Sequence, residues 1–189
     1  ELYKSAHFFA IQNGTRTKRE LIGETKYQLT NFFCFGEYEK QTFKEFGHKI
    51  EKNFPVGSLV SGIYKSRNIK KVVKYDICLV SSWLDKHFEE LNENNRHYKE
   101  QGVYKKKLEC HLKKYMSQRK VRVIIAMTST NRNSLEYEHL NNLFGDNVRL
   151  VPRDGFSTYE SMDSSNMIIT FASTAVREAF GWGKKVLLL

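Results

Sequence analysis

NMIITFASTAVREAFGWGKKVLLL, residues 166–189, is the stretch whose reading decides the fold. Met167 to Phe171 is an apolar run with the length of a buried strand, and it stops at Ser173-Thr174. Ala175, Val176, Ala179 and Phe180 then recur at i, i+1, i+4 and i+5, one apolar face of a short helix. Gly181 and Gly183 end that helix. Val186 to Leu189 reads as a second strand with no polar face, the pattern of a parallel sheet covered on both sides. The whole is a βαβ unit.

The helix of this unit opens on hydroxyls. Its first turn has backbone N–H groups without internal partners and a partial positive charge, so an anion is welcome there. Thr174 and Glu178 are four apart and share the face opposite Ala175 and Ala179. A phosphate at the helix tip would put a ribose about one turn, roughly 5 Å, further along, within reach of Glu178. Ser and Thr are ordinary N-caps, so capping alone accounts for the hydroxyls. It does not account for the acid. A capping box needs Glu at the third position, which is Arg177 after Thr174 and Val176 after Ser173.

Working outward, 40% hydrophobic and 28% charged residues with 2 Pro describe a globular protein, and no apolar run is long enough to cross a bilayer. No signal peptide is expected. The 3 cysteines, Cys34, Cys78 and Cys110, form no CxxC pair, which predicts free thiols in a reducing, cytoplasmic compartment and no zinc site. A chain that opens at Glu1 and closes inside an apolar strand is expected to be part of a longer protein.

His7 to Ile11 and Asn31 to Phe35 read as strands, each closed by a turn, and Tyr38, Thr42, Phe43 and Phe46 recur at helical spacing before Gly47. Asn53 to Val56 is a third extended piece around Pro55. Residues 1–60 are therefore expected to end one α/β lobe. The lysine-rich residues 61–74 read as a linker or exposed crossover. Residues 75–189 continue as a second lobe: a strand at Tyr75 to Val80, a helix starting near Leu84, and a longer one from about Tyr98 to Ser117 with a stripe of Tyr104, Leu108, His111 or Leu112, and Tyr115. Strand Val121 to Met127, helix Leu135 to Phe144, strand Val148 to Val151 and a short helix with a Ser157–Glu160 capping box lead back to the opening stretch. This alternation predicts a doubly wound, Rossmann-like parallel sheet.

Ligands of such sheets bind outside the carboxyl ends of the strands. Four polar turns fall there: Ser81-Ser82, Thr128 to Asn131, Arg153-Asp154-Gly155 and Ser173-Thr174. No GxGxxG or GxxxxGK[ST] is present, so neither a dinucleotide fingerprint nor a P-loop is expected.

Pro152 to Leu189, with D-S-S-N-M-I-I-T, S-T-A-V-R-E-A and G-W-G-K-K-V, resembles the nucleotide-binding half of GT-B glycosyltransferases. F-A-I-Q-N-G, F-C-F-G-E-Y and F-P-V-G-S resemble, in that order, the last strands of the N-terminal acceptor lobe in bacterial surface-carbohydrate glycosyltransferases and the related teichoic-acid glycerophosphotransferases. The resemblance implies an enzyme that transfers a sugar from a nucleotide-sugar donor to a surface-polysaccharide or lipid-linked acceptor. Epimerases of nucleotide-sugars and the glycerophosphotransferases share the fold, and a non-catalytic nucleotide-binding module is the competing class. It further implies that Ser173 and Thr174 bind the donor diphosphate, Glu178 the ribose, and Arg153, Asp154 and Gly155 flank the base. Thr128 and Ser81 complete the expected binding set.

In the resemblance, Asn13 of Gln12-Asn13-Gly14 takes the place of a histidine base. Asn13 cannot accept a proton at neutral pH, so the base lies elsewhere or the chemistry differs; His7 is the alternative. Two developing negative charges must be stabilised, and a helix N-terminus with a nearby cation, Arg153 or Arg177, can do so without a metal. No DxD pair stands out, and neither metal nor resident cofactor is expected. The net charge of +10 and pI of about 9.4 favour an anionic partner. Without aromatic-and-basic strands of the RNA-binding kind, a peripheral contact with the anionic inner membrane face is the preferred reading over nucleic acid.

Overall fold

The computed structural model describes residues 7–14, 21–22, 26–67, 72–83, 96–171 and 173–188. The chain divides into two compact units, Glu1–Asn68 and Ile69–Leu189. In the first, β1 (Phe9–Ile11), β2 (Gln28–Cys34) and β3 (Lys49–Pro55) form a parallel sheet in the order β1-β2-β3. Helix α1 (Glu37–Glu45) puts Glu37 and Glu39 in its first turn and Lys44 in its last, which suits the helix dipole. Its Phe43 is buried, edge-on to Phe32 at 5.2 Å between ring centroids. Gly47, at φ 75°, ends it: Gly47 N–H donates to Lys44 O (3.1 Å) and His48 N–H to Phe43 O (3.0 Å), a Schellman closure. Phe9, Phe33 and Phe54 stack across the three strands.

Helix α2 (Leu59–Ser66) occupies part of the stretch 61–74 that the sequence reading assigns to a linker. The lysine and arginine content there obscures a helical set of Leu59, Val60, Ile63 and Tyr64. Ser58 caps it by accepting from Ser61 N–H at 3.2 Å.

The second unit runs β4 (Tyr75–Val80), α3 (Arg96–Gln118), β5 (Val123–Ala126), α4 (Leu135–Phe144), β6 (Val148–Val151), α5 (Ser157–Asp163), β7 (Ser165–Thr170), α6 (Ala175–Gly181) and β8 (Lys185–Leu188). The helix expected from Leu84 lies outside the described residues. All five strands are parallel, in the order β6-β5-β4-β7-β8, which is a doubly wound, Rossmann-like α/β fold. Alternation along β4 divides the core. Ile77 and Leu79 face Leu108 and Leu112 of α3 and Leu140 of α4. Cys78 and Val80 face Met162 of α5 and Val176 and Ala179 of α6.

Two local expectations change. The Ser157 hydroxyl does not make a capping box: it accepts from Asp154 N–H (2.9 Å) and donates to Pro152 O (3.1 Å), tying the preceding turn instead. Along α3 the buried stripe is Leu108 and Leu112, while Tyr104 and Tyr115 are about half exposed. Strand β8 is the edge of the sheet among the described residues, with Leu187 and Leu188 exposed.

Candidate functional site

Strand order reverses between β4 and β7, which are neighbours in the sheet although β5 and β6 intervene in the chain. A crevice opens outside the carboxyl ends of two such strands because their onward connections leave to opposite faces. Here one hydroxyl ties the two ends together. Thr170, fully buried, donates from Oγ1 to Val80 O (2.8 Å) and accepts from Ser173 N–H (3.2 Å). The turn into α6 is thereby held against the end of β4.

At the α6 tip, Ser173 Oγ accepts from Ala175 N–H at 3.4 Å, a weak cap. Thr174 already has helical dihedrals (φ −66°, ψ −24°), is exposed, and makes no side-chain cap bond. Glu178 follows in the first turn, half-buried, and its carboxylate has no hydrogen-bond or ion-pair partner among the described residues. Arg177, next to it, is exposed.

Parallel pairing brings the other three polar turns to the same sheet edge, each with a different fate. Ser81 N–H continues the ladder to Ala126 O, and Thr128 Oγ1 donates to Ser81 O (3.1 Å) while accepting from Trp83 N–H (3.3 Å). Thr128 is thus bonded within the protein. The amides of the Thr128-Ser129 turn are taken up by Glu136, whose fully buried carboxylate accepts from Thr128 N–H (3.1 Å), Ser129 N–H (2.7 Å) and Ser129 Oγ (2.7 Å). That turn is an anion nest already filled by a protein carboxylate. Arg153, Asp154 and Gly155 leave β6, an edge strand; at about 4.8 Å per strand this is roughly 14 Å from the end of β7. Arg153 N–H donates to Ser129 O (2.9 Å), and Gly155 adopts φ 47°.

Asn13 belongs to the other unit, exposed beyond β1. The holding role there falls to buried Gln12, whose carboxamide donates to Gly14 O (2.9 Å) and accepts from Phe35 N–H (3.0 Å). His7 is exposed.

A family model described as "putative O-antigen biosynthesis protein" matches residues 9–189. The chain belongs to this O-antigen biosynthesis family. No curated protein matches it. Membership places the chain in surface carbohydrate biosynthesis and spans both units. Among the described residues of this O-antigen biosynthesis family member, no helix is long and apolar enough to cross a membrane, and no three of His, Cys, Asp and Glu gather around a metal-sized space.

The sequence reading missed one cluster in this family member. Trp83, just beyond β4, lies under Lys105 Nζ (3.8 Å to the ring centroid) and against the His139 ring (5.2 Å). Behind them buried Glu109 meets His139 Nε2 at 2.9 Å and Lys105 Nζ at 3.9 Å. Tyr104 stacks on Phe171 at 6.1 Å, so α3 reaches the carboxyl edge at both β4 and β7. The one signal in the sequence is an acid, Glu109, inside an otherwise lysine-rich helix. On the other face of the sheet, burial pushes the Cys78 thiol up to about 12.

Proposed function

We propose that the second unit is the donor-binding lobe of a GT-B-type glycosyltransferase, which passes a sugar from a nucleotide-sugar to a surface-polysaccharide or lipid-linked acceptor. The observation that supports this reading is Glu178, a half-buried carboxylate with no partner among the described residues, one turn inside the tip of the helix that leaves the switch point. A half-buried acid lacking a bond is costly unless a ligand completes it. In this reading Glu178 accepts from the ribose hydroxyls, while Ser173, Thr174 and the first-turn amides of α6 bind the diphosphate.

As the sugar leaves, charge develops on the diphosphate. Amides fixed at a helix tip stabilise that charge without reorganising, and Arg177 on the same turn adds a cation. Arg153, about three strand spacings away, is better placed to flank the base than to meet the leaving phosphate. Asn13 has no proton-accepting chemistry, so activation of the acceptor falls to another group.

Calorimetric titration with UDP, GDP, CDP and CMP tests the proposal. Saturable binding to one of them is expected, and Glu178→Ala should weaken it at least about tenfold, the loss of a hydrogen bond to a charged group. Equal affinity of the wild type and Glu178→Ala for every nucleotide would sink the assignment.

A further inference from the structure

We infer that His139 takes the proton of the acceptor hydroxyl and that Glu109 positions it to do so. Glu109 is buried in α3, where a carboxylate is costly unless donors surround it. Its two oxygens meet His139 Nε2 at 2.9 Å and Lys105 Nζ at 3.9 Å. A carboxylate only accepts, so in the neutral ring the hydrogen sits on Nε2 and the lone pair on Nδ1. Nδ1 has no partner among the described residues, and the His139 side chain is 39% exposed, which leaves that lone pair open to a ligand. A tie between α3 and α4 needs Nε2 alone.

Place distinguishes His139 from the other described histidines. It lies one turn inside α4, the helix that leaves the carboxyl end of β5, and its ring packs on Trp83 just beyond β4. Glu178 is likewise one turn inside α6, the helix that follows β7 in the same parallel sheet. His48 has both ring nitrogens engaged, and the exposed His7 and His111 have no carboxylate partner among the described residues. A part-exposed imidazole backed by a buried acid is built to accept a proton, because the acid fixes the tautomer and stabilises the imidazolium that forms. Asn13 offers no such chemistry. As the acceptor oxygen bonds to the anomeric carbon, the bond from that carbon to the diphosphate breaks with its electron pair going to the diphosphate. The hydroxyl proton passes to Nδ1 and from there to solvent.

His139 has this role only if the second unit binds a donor, so nucleotide affinity and turnover are measured on the same variants of the full-length protein. Turnover is the release of nucleotide from whichever UDP-, GDP-, CDP- or CMP-linked sugar the wild type consumes fastest. His139→Gln keeps an N–H for Glu109 but has no basic nitrogen. It should melt with the wild type, bind nucleotide with unchanged affinity and turn over at least about 100-fold more slowly. Added imidazole should restore His139→Ala by at least about tenfold, which repair of a structural tie would not do. Long-range proton–nitrogen NMR of the neutral ring should show hydrogen on Nε2 and none on Nδ1. Glu109→Gln should let the hydrogen divide between the two nitrogens and slow turnover while nucleotide affinity holds. Undiminished turnover by His139→Gln, failure of imidazole to restore His139→Ala, or hydrogen on Nδ1 would overturn the role of His139 and leave the donor lobe standing. A wild type that binds no nucleotide would remove both.

Discussion

Glu136 shows how much one residue can settle at a sheet edge. Its carboxylate closes the turn after β5, and truncation would leave the Thr128 and Ser129 amides without their acceptor. Glu136→Ala is expected to lower stability by about 3 kcal/mol in urea unfolding, since each buried donor left unpaired costs about 1–3 kcal/mol. His48 adds a pH dependence to the first unit. Its Nδ1 accepts from Tyr27 N–H (3.0 Å) and its Nε2 faces Leu21 O (3.2 Å), which requires the neutral ring. Burial holds its pKa below the ordinary value, against the opposing effect of the Leu21 carbonyl. Because the folded pKa is depressed, the unfolded chain binds this proton first; stability is complete above about pH 6.5 and declines below it. The wild type should lose stability relative to His48→Gln between about pH 7 and 5, and parallel curves would refute this. Among the thiols, Cys110 is exposed whereas Cys34 and Cys78 are buried with raised pKa, so native alkylation should label Cys110 alone.

At the scale of elements, glycines with different dihedrals separate two effects of the same substitution. Gly183, at φ 75°, closes α6 with Lys184 N–H on Ala179 O (3.1 Å) and Gly183 N–H on Phe180 O (2.9 Å). A Cβ there meets no atom within 4 Å, so the cost of Gly183→Ala is conformational, about 1–2 kcal/mol. Gly102 sits inside α3 with equally open space, and Gly102→Ala should stabilise by about 1 kcal/mol. Thermal melts of the two variants should therefore move in opposite directions. Element identity was largely legible from local pattern: β4, α4 and β6 begin and end where apolar runs and Gly145 place them, because those signals lie within each element. The sequence reading went astray where a neighbour in space decides. Ser157 binds the turn before it, and α2 hides behind its cations. In the candidate site, Ser173, Thr174 and Glu178 are readable from helical spacing alone. The partners of Thr170, Glu136 and Glu109 are not, since 90, 7 to 8 and 30 residues separate them from the groups they meet.

For the whole molecule, each unit has its own buried cluster, and the second assembles its sheet from both directions of the chain. Positive charge is dense along α3: among the described residues, exposed Lys106, Lys113 and Lys114 have no ion-pair partner, while Glu109 and Asp76 are engaged. The bond from Thr170 to Val80 has a kinetic meaning as well. Closing a loop of that size costs chain entropy before any pairing repays it, and non-local strand contacts form slowly for this reason. The crevice between β4 and β7 should accordingly be a late product of refolding. After a jump out of denaturant, the far-UV helical signal should recover ahead of the near-UV signal of tertiary packing, and simultaneous recovery would show that the central strands find each other early.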